Sequence, residues 1–305
     1  MGITDSIINY RRSLKRHNYS KNTLRNYMST LKQFVIWLDV PIEAVSHKKL
    51  IGFIDHLLDK RLKPKTINSY LDSIRGFYDY LVQEEQVVMI NPIKCGDALR
   101  MSKPLPRCLR DEQVAALFAV IDDPRDLAIF KLMLRCGLRV EEVANLTLAA
   151  VDLPRGQVFV YQGKGAKDRV VYLSKDAYNA LTAYLKIRPY TRTKKLFVVN
   201  KGRFRGKPLK VRGIQHRMQH YAQKAGFKVC CHQLRHTMAT QMLNADADLV
   251  TIQDLLGHTR ITTTERYCRV SNQKVRRDYY NAMTKVMQRH RVDRKTLDNE
   301  EKVIY

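Results

Sequence analysis

The stretch His232-Gln-Leu-Arg-His236 is followed by Leu255-Leu-Gly-His258 and then by Thr262-Thr-Thr-Glu-Arg-Tyr267. Side chains three and four residues apart share one face of a helix, so the two histidines and the arginine of the first stretch should meet on one surface. Residues 237–243 continue that stretch with the propensity and apolar spacing of a helix. The first stretch therefore predicts a helix that presents reactive side chains.

Several helix-boundary signals follow this predicted helix. Asp248 is suited to cap a short helix, and Gly257 suits the left-handed residue that ends it. His258 comes directly afterwards, so a rigid helix end is expected to hold it. Thr262 opens a capping box, which predicts a further helix with Tyr267 in its second turn.

These side chains suggest one kind of chemistry. A tyrosine hydroxyl is a poor nucleophile at pH 7, because its pKa is near 10. It needs a base, and it needs an electrophile whose developing charge is stabilised. Arginine binds phosphate oxygens in a bidentate fork and stays charged. The group therefore predicts covalent phosphoryl transfer to Tyr267.

Composition favours a polyanionic partner. The chain has 305 residues, enough for two domains, and 45% of them are hydrophobic. Its 55 Lys and Arg residues against 29 Asp and Glu residues give a formal net charge of +26. Such a charge favours nucleic acid over a neutral partner, although a ribosome-associated or merely basic protein also fits. The charge is spread over the whole chain, which favours a protein that surrounds its partner.

The cysteines do not predict a metal site. There are six of them, Cys95, Cys108, Cys136, Cys230, Cys231 and Cys268. The adjacent pair beside His232 has no second pair at zinc-site spacing, so we expect thiols in a reducing cytoplasm and neither metal nor cofactor. No signal peptide and no apolar run long enough to span a membrane are found, which predicts a cytoplasmic protein without a membrane partner.

Four helices are predicted in the first part of the chain. They are residues 3–17, a helix capped by Ser20, a helix opened by Ser46, and a helix that follows Lys63-Pro64 and ends at Asn91-Pro92. Their apolar residues recur at helical spacing, while Lys and Arg lie on the outer faces. The pattern predicts a compact helical bundle.

The second part mixes helices with a small β structure. Two β-rich runs, 157–161 and 169–173, flank the turn 163–168 and predict a hairpin, and 196–199 is strand-like. The other predicted helices are 111–121, 126–136, 174–187 and 213–225, with a basic loop at 200–212, and Arg139 is expected at the corner before 140–146. Gly96, Pro104 and Pro106 indicate an interdomain linker. We divide the chain into 1–95, the linker 96–108, a second domain 109–290 and a tail 291–305.

At these residues the chain resembles a known family. The motifs HQLRH, LLGH and TTTERY resemble, in this order and spacing, the catalytic motifs of tyrosine recombinases of the phage-integrase type. The string from Gly137 to Leu146 resembles the family's first arginine motif. Ser20-x-x-Thr23 with Tyr27, and the segment from Lys65 through Asn91-Pro92, resemble the core-type DNA-binding domain. The resemblance covers residues 5 to about 285.

The resemblance implies a mainly α fold. It consists of an N-terminal four-helix, SAM-like core DNA-binding domain and an α+β catalytic domain with a small antiparallel hairpin or sheet. The partners implied are double-stranded DNA with paired half-sites, three further copies in a tetrameric synaptic complex, and accessory DNA-bending proteins. Neither ATP nor a metal is implied, because the phosphotyrosine conserves the free energy of the broken bond.

The resemblance also implies residue roles. Six catalytic positions are filled, by Arg139, Lys164, His232, Arg235, His258 and Tyr267. Tyr267 is implied as the nucleophile that becomes joined to a DNA 3′ end, the two arginines as phosphate ligands, and Lys164 as the acid for the leaving 5′ oxygen, with Lys167 as its rival. The histidines are implied to hydrogen-bond the phosphate and to handle the tyrosine proton.

The chain departs from the family pattern at two positions. Asp246 stands where the family usually has glycine, but aspartate tolerates a positive φ, so the turn is expected to survive. Arg110 replaces the usual threonine-type cap, which concerns stability. Two alternative functions remain, a type IB topoisomerase that relaxes DNA and a non-catalytic DNA-binding regulator. Integration, transposition, dimer resolution and inversion all use this chemistry.

Overall fold

The computed structural model describes residues 2–102, 107–161, 168–257, 263–265, 279–280 and 283–284. The chain divides into two compact units, Met1–Lys103 (unit 1) and Pro104–Tyr305 (unit 2). The predicted catalytic positions Lys164, His258 and Tyr267, and the rival Lys167, lie outside the described residues. None of the described helices is long and apolar enough to cross a membrane.

Unit 1 contains four helices, as predicted. They are α1 (Ile3–Arg16), α2 (Lys21–Trp37), α3 (His47–Asp59) and α4 (Pro64–Gln83), with a short 3₁₀ turn at Ile42–Ala44. The caps predicted from sequence are confirmed, since the Ser20 hydroxyl accepts a hydrogen bond from the Thr23 N–H at 3.1 Å and the Ser46 hydroxyl accepts from Lys49 at 3.2 Å. Leu31, Phe34, Leu50, Ile67 and Phe77 are almost fully buried and form the centre of this core.

The end of α4 was predicted wrongly. The helix ends at Gln83, well before Asn91-Pro92. The left-handed residue Gln86, with φ +53°, reverses the chain. The Asn91 side chain then donates to Asp79 Oδ1 at 2.7 Å, so this segment folds back along the helix instead of extending it.

The segment after Asn91 also packs on unit 1. Ile93 is buried in its core, and Asn68 exchanges two hydrogen bonds of 2.9 Å with the backbone of Leu99. The first residues of the predicted linker are therefore attached to α4. Both ends of the linker, 96 and 108, stay predictions, as do the outer limits of the domains.

Unit 2 combines seven described helices with one small sheet. The helices are α5 (Asp111–Ala119), α6 (Pro124–Arg135), α7 (Val140–Asn145), α8 (Lys175–Ile187), α9 (Val211–Lys224), α10 (Cys231–Asn244) and α11 (Leu249–Leu256), and the strands are β1 (Val151–Asp152), β2 (Gln157–Val160) and β3 (Arg169–Tyr172). The strands pair antiparallel in the order β1-β2-β3, with Val158 opposite Val171. The predicted hairpin is thus confirmed, and β1 adds a strand that the sequence pattern did not predict. The fold is mainly α with a small antiparallel sheet.

The predicted strand at 196–199 was wrong. Val198 makes an isolated bridge to Pro208. The pairing stops there because the chain turns back at Gly206, whose N–H donates to the Val199 carbonyl at 2.8 Å directly after the Val199 N–H has bound the Lys207 carbonyl at 2.9 Å. Residues 196–198 are nonetheless buried, so their apolar pattern reflected burial in the core of unit 2.

Three helices of unit 2 begin in the same way. The side chain at the third helical position accepts a hydrogen bond from the backbone N–H of the cap residue: Gln113 from Arg110 at 3.1 Å, Glu142 from Arg139 at 2.7 Å, and Gln233 from Cys230 at 2.9 Å. This device explains how α5 begins at its expected place although Arg110 replaces a threonine-type cap. It also gives Glu142 its first contact with Arg139.

Candidate active site

The corner between α6 and α7 places Arg139. Helix α6 packs against α8 and α10 and is buried on more than one side, as at Phe130, Leu132 and Leu134. Gly137 follows its end with φ +64° and turns the chain. A Cβ at Gly137 would lie 2.9 Å from Cδ2 of Leu256, so the corner touches α11 at a distance only glycine allows. Arg139 then becomes the cap residue of α7.

Arg235 lies inside the protein. Its side chain is 1% exposed, and a buried guanidinium needs a partner for its N–H groups. Nη1 donates to the Gly137 carbonyl and Nη2 donates to the Leu256 carbonyl. Both carbonyls lie at the C-terminal ends of helices, where a carbonyl has no hydrogen-bond partner within the helix. Arg235 therefore joins the ends of α6 and α11 and is held in a defined orientation.

Arg139 is held more loosely and faces solvent. Its Nη1 donates to Oε1 of Glu142 at 2.7 Å, and its Nη2 lies 3.5 Å from the Gly257 carbonyl. Its side chain is 22% exposed, against 1% for Arg235. Of the two arginines, Arg139 has the more accessible guanidinium.

Arg169 is a site residue that the sequence pattern did not reveal. It opens β3, and its side chain is 6% exposed. Nη1 and Nη2 donate to the two carboxylate oxygens of Glu142 at 2.9 and 2.7 Å, and Nε donates to the Leu255 carbonyl at 2.8 Å. A charged residue at the head of an apolar strand was the available signal. It did not indicate which acid, 27 positions away, would bind it.

Glu142 is ionised at neutral pH. Its burial opposes ionisation, but the hydrogen bonds and charge of Arg169, together with those of Arg139, hold the pKa of its carboxyl at about 2. Arg235 Nη1 lies 3.9 Å from the same carboxylate. One negative charge is thus surrounded by three arginines.

His232 lies at the mouth of this cluster. It is exposed, and its ring packs against that of His236 one turn later, with the ring centroids 4.3 Å apart. Partial desolvation and the positive charges of Arg235 and Arg139 lower the pKa of His232 below its usual value. At neutral pH the imidazole is therefore neutral and can accept a proton.

These three predicted residues come together. Arg139, His232 and Arg235 line one pocket of about 210 Å³, whose wall also includes Val211 and Gln215 from the first turns of α9. Three of the six predicted catalytic residues therefore share one pocket.

The neighbouring elements match the predicted boundaries. Asp248 caps α11 by accepting from the Val250 N–H, and Gly257 ends that helix with φ +60°. Asp246 has φ +65°, so the turn before α11 survives without glycine, as expected. Thr264 and its neighbours, 263–265, are helical, which agrees with the helix predicted after Thr262.

A larger cavity lies elsewhere in unit 2. It measures about 620 Å³ between α5 and α10 and is lined by Arg110, Asp111, Glu112 and Gln241 among others. None of the three predicted catalytic residues that the structure describes lines it. We assign the chemistry to the smaller pocket, because that is where a neutral histidine and two arginines meet.

Metal ligands do not cluster in the described part of the chain. No group of three or more His, Cys, Asp or Glu side chains in it is arranged to hold an ion. Beside the pocket, burial and the neighbouring Cys230 raise the pKa of Cys231 to about 12. Cys231 is thus a protonated thiol, and metals bind the thiolate.

Comparison with known proteins identifies relatives. The model for the phage integrase family matches residues 107–274, and the model for the phage integrase N-terminal SAM-like domain matches residues 6–85. Tyrosine recombinase XerD of Pseudomonas aeruginosa is 34% identical over 265 residues, which cover 83% of this chain and 88% of the relative. Tyrosine recombinase XerC of Staphylococcus carnosus is 32% identical over 276 residues, covering 87% and 92%. The Tn1549 transposon integrase, solved in complex with a circular intermediate DNA, shares the fold with a TM-score of 0.71 at 19% identity, over 86% of this chain and 94% of that one.

Proposed function

This chain belongs to the phage integrase family of tyrosine recombinases, and from that premise we propose that it exchanges DNA strands at specific sites through a 3′-phosphotyrosine intermediate and a Holliday junction. The observation that carries the proposal is the pocket shared by Arg139, His232 and Arg235. It concentrates positive charge and a neutral imidazole in one concave place.

The proposed reaction needs no external energy source. The Tyr267 oxygen attacks the scissile phosphorus, a phosphotyrosine bond forms, and the bond to the 5′ oxygen breaks. His232 takes the tyrosine proton, and Lys164 gives a proton to the leaving oxygen, with Lys167 as the alternative donor. A 5′ hydroxyl from another strand then reverses the attack. Atoms and charge balance without metal or cofactor.

The arginines stabilise the charge that grows on the phosphate. Charge develops on the non-bridging oxygens in the transition state, where preorganised donors act most strongly. Arg139 and Arg235 supply these donors, and His258 adds a further hydrogen bond. Because the described contacts hold Arg235 at both ends of its fork, little reorganisation is needed.

The DNA is proposed to pass over the basic loop 200–212. Lys201, Arg203, Arg205, Lys207, Lys210 and Arg212 carry its charge, and its range contains no Asp or Glu. Backbone hydrogen bonds order the loop, such as Gly206 N–H to the Val199 carbonyl at 2.8 Å. The loop runs directly into Val211, which lines the pocket. Phosphates beside the scissile one would therefore meet these cations.

The proposed assembly is a homo-tetramer on paired half-sites, helped by accessory DNA-bending proteins on cytoplasmic DNA. Residues 1–95 serve as the core DNA-binding domain and 109–290 as the catalytic domain. From the sequence, Ser271 is suited to cap a last helix whose apolar stripe is Val275, Tyr279, Met283 and Val286. Tyr279 and Met283 are 58% and 37% exposed in the single chain. An exposed stripe of this kind favours docking on a neighbouring copy over packing within the chain.

The nucleophile is tested by covalent capture. Protein is mixed with fragmented DNA that flanks its gene, denatured in detergent and precipitated, and the attached DNA is sequenced. Tyr267→Phe removes only the hydroxyl, so we expect it to abolish the adduct while native gels show DNA binding within about twofold of wild type, since the hydroxyl makes at most one of many contacts.

Two matched variants control the assignment. Tyr279→Phe and Tyr280→Phe remove the hydroxyls of two exposed tyrosines nearby in the chain and should keep the adduct. An adduct with Tyr267→Phe would place the nucleophile elsewhere. If wild type binds DNA but forms no adduct, the chain acts as a DNA-binding regulator. If it forms adducts and relaxes supercoiled DNA without exchanging strands, it acts as a topoisomerase.

A further inference from the structure

Glu142 is the point at which the pocket and the β-hairpin meet. A carboxylate offers about four acceptor positions. Two of them are filled by Arg139, through its backbone N–H and its Nη1, each at 2.7 Å. The other two are filled by Arg169, at 2.9 and 2.7 Å. The carboxylate is therefore fully used, and half of its capacity is used by a residue outside the pocket.

The sharing of the Glu142 carboxylate between two arginines decides how much of the Arg139 guanidinium remains available to bind a phosphate. Arginine and carboxylate prefer a bidentate pair with two parallel hydrogen bonds. Arg139 lies three residues before Glu142 and is well placed to form one. Arg169 occupies two of the four acceptor positions of Glu142. Arg139 therefore donates only one guanidinium N–H to that carboxylate, and its other guanidinium N–H groups are left for the pocket.

We infer that Arg169 is a positioning residue for the cleavage reaction: by engaging half of the Glu142 carboxylate, it keeps the fork and charge of Arg139 available for the scissile phosphate. The inference rests on the proposed function, in which Arg139 is a phosphate ligand. Arg169 itself does not line the pocket and is not expected to touch DNA.

The same residue also orders the end of α11. The last carbonyls of that helix and its cap, at residues 255–257, each accept from a different arginine: Arg169, Arg235 and Arg139. A Cβ at position 257 would lie only 3.1 Å from Cδ of Arg169, so the glycine there lets this side chain approach. Arg169 thus ties β3, at the base of the hairpin, to α7, which lines the pocket, and to the end of α11, whose carbonyls bind the pocket arginines.

A plain stabilising ion pair is the competing explanation. Buried ion pairs are weak evidence for stability, because desolvation offsets much of their attraction, whereas leaving one charge unpaired is costly. The two explanations differ in what happens when the acid is neutralised in a protein that already lacks Arg169. Under both explanations Glu142→Gln relieves the carboxylate that Arg169→Met leaves short of partners, so thermal stability should rise in both cases. Positioning also predicts that the slowed cleavage of folded protein is restored, whereas a purely stabilising role predicts that folded Arg169→Met protein cleaves at the wild-type rate.

The first test measures cleavage. The substrate is a nicked half-site oligonucleotide whose sequence comes from the covalent capture above, and the rate is measured in a single turnover. Arg169→Met frees two acceptor positions that Arg139 will fill, so we expect cleavage to slow on the order of 10-fold or more, somewhat less than for direct loss of a transition-state donor. Adding Glu142→Gln removes the competing charge, so the double variant should cleave faster than Arg169→Met alone.

Arg188→Met is the matched control. Arg188 is also half-buried in unit 2, and its guanidinium donates to the Leu196 and Lys195 carbonyls at 2.9 and 2.7 Å, away from the pocket. It should lose stability in thermal melts but cleave at the wild-type rate. A double variant slower than both single variants would overturn the inference. Cleavage is compared only at temperatures where thermal melts show every variant to be folded, so a rescue by Glu142→Gln then reports on the site and not on stability.

A second measurement does not depend on catalysis. Orthovanadate, an inorganic oxyanion, is titrated calorimetrically into folded protein. The part of the binding heat that disappears in the Arg139→Met variant is assigned to the pocket, and its affinity is the component compared between variants. We expect Arg169→Met to weaken that component about 10-fold and the double variant to restore most of it, because the fork is freed again. Unchanged affinity in Arg169→Met would refute the inference. A wild type that binds vanadate but forms no DNA adduct would refute the proposed function alone.

Discussion

At the residue scale, the site depends on how two arginines of the same chemistry are held differently. Arg235 is buried and bound by helix-end carbonyls, whereas Arg139 is partly exposed and shares an acid with Arg169. A rigid donor and a more accessible donor thus face one pocket. The bidentate fork matters for both, because a lysine has the charge without the planar geometry.

Arg235→Lys tests that geometry. The lysine ammonium cannot reach the Gly137 and Leu256 carbonyls together and also present a fork to phosphate. We expect cleavage of the nicked half-site to fall on the order of 10²-fold or more, as for loss of a transition-state donor, with DNA binding little changed. Single-turnover cleavage and native gels measure the two quantities.

A second buried arginine controls for general damage. Arg125 is 8% exposed, and its guanidinium binds Asp126 and the Val198 carbonyl, none of which lines the pocket. Arg125→Lys should lower the melting temperature without a comparable loss of cleavage. Equal losses in both variants would mean that Arg235 acts through stability.

At the scale of the element, the pocket is made where helix ends converge. Helix α6 ends at Gly137, α11 ends at Gly257, and both glycines have positive φ. Each turn exposes carbonyls that arginines then bind. The ends of these helices, more than their faces, therefore position the site.

Gly137→Ala tests this convergence. An alanine there takes a left-handed conformation at a cost of about 1–2 kcal/mol. It also places its Cβ 2.9 Å from Cδ2 of Leu256 and 3.2 Å from Sδ of Met238, so the corner or these two buried side chains must shift. Because the Gly137 carbonyl binds Arg235, we expect both the free energy of unfolding and the cleavage rate to fall.

Gly156→Ala provides the comparison. Gly156 has nearly the same φ, +63°, but a Cβ there meets no atom within 4 Å. It should show the conformational cost in urea unfolding and retain wild-type cleavage. The difference between the two alanine variants in free energy of unfolding and in cleavage rate measures the effect of the close contact at the corner. If Gly137→Ala cleaves normally, the corner does not position Arg235.

At the scale of the whole molecule, the chain is a strongly basic protein of two units, with 55 Lys and Arg residues against 29 Asp and Glu residues. In unit 2, Glu142 beside the pocket is used internally, by Arg139 and Arg169. The remaining cations are available to a polyanion, so affinity for DNA is expected to depend steeply on salt.

Assembly is tested with the double variant Tyr279→Glu/Met283→Glu. Charges on this exposed stripe oppose burial against a second copy, so we expect single half-site binding at wild-type affinity but loss of the four-protomer complex and of recombination. Native gels and analytical ultracentrifugation with full-site DNA measure both. Ile187→Glu, at an apolar residue 54% exposed on α8, serves as the control and should assemble normally. Normal recombination by the double variant would contradict docking in trans.

The sequence by itself determined the elements whose signals are local. Ser20, Ser46 and Asp248 cap helices through hydrogen bonds to residues two or three positions away, and Gly137 and Gly257 end helices through their own backbone freedom. Such interactions are complete within one turn, so a short window of sequence contains them. The order of the arginine and histidine motifs was equally visible, and the structure brings Arg139, His232 and Arg235 into one pocket.

Only the tertiary structure decided which distant groups meet. Arg169 binds an acid 27 positions away, and Arg235 binds a carbonyl 98 positions away. The fold-back of 91–99 onto α4 and the failure of 196–199 to form a strand were likewise decided by partners remote in sequence. Burial makes these pairings obligatory, because a buried charge or N–H without a partner is costly, but residue spacing does not say which partner the fold will supply.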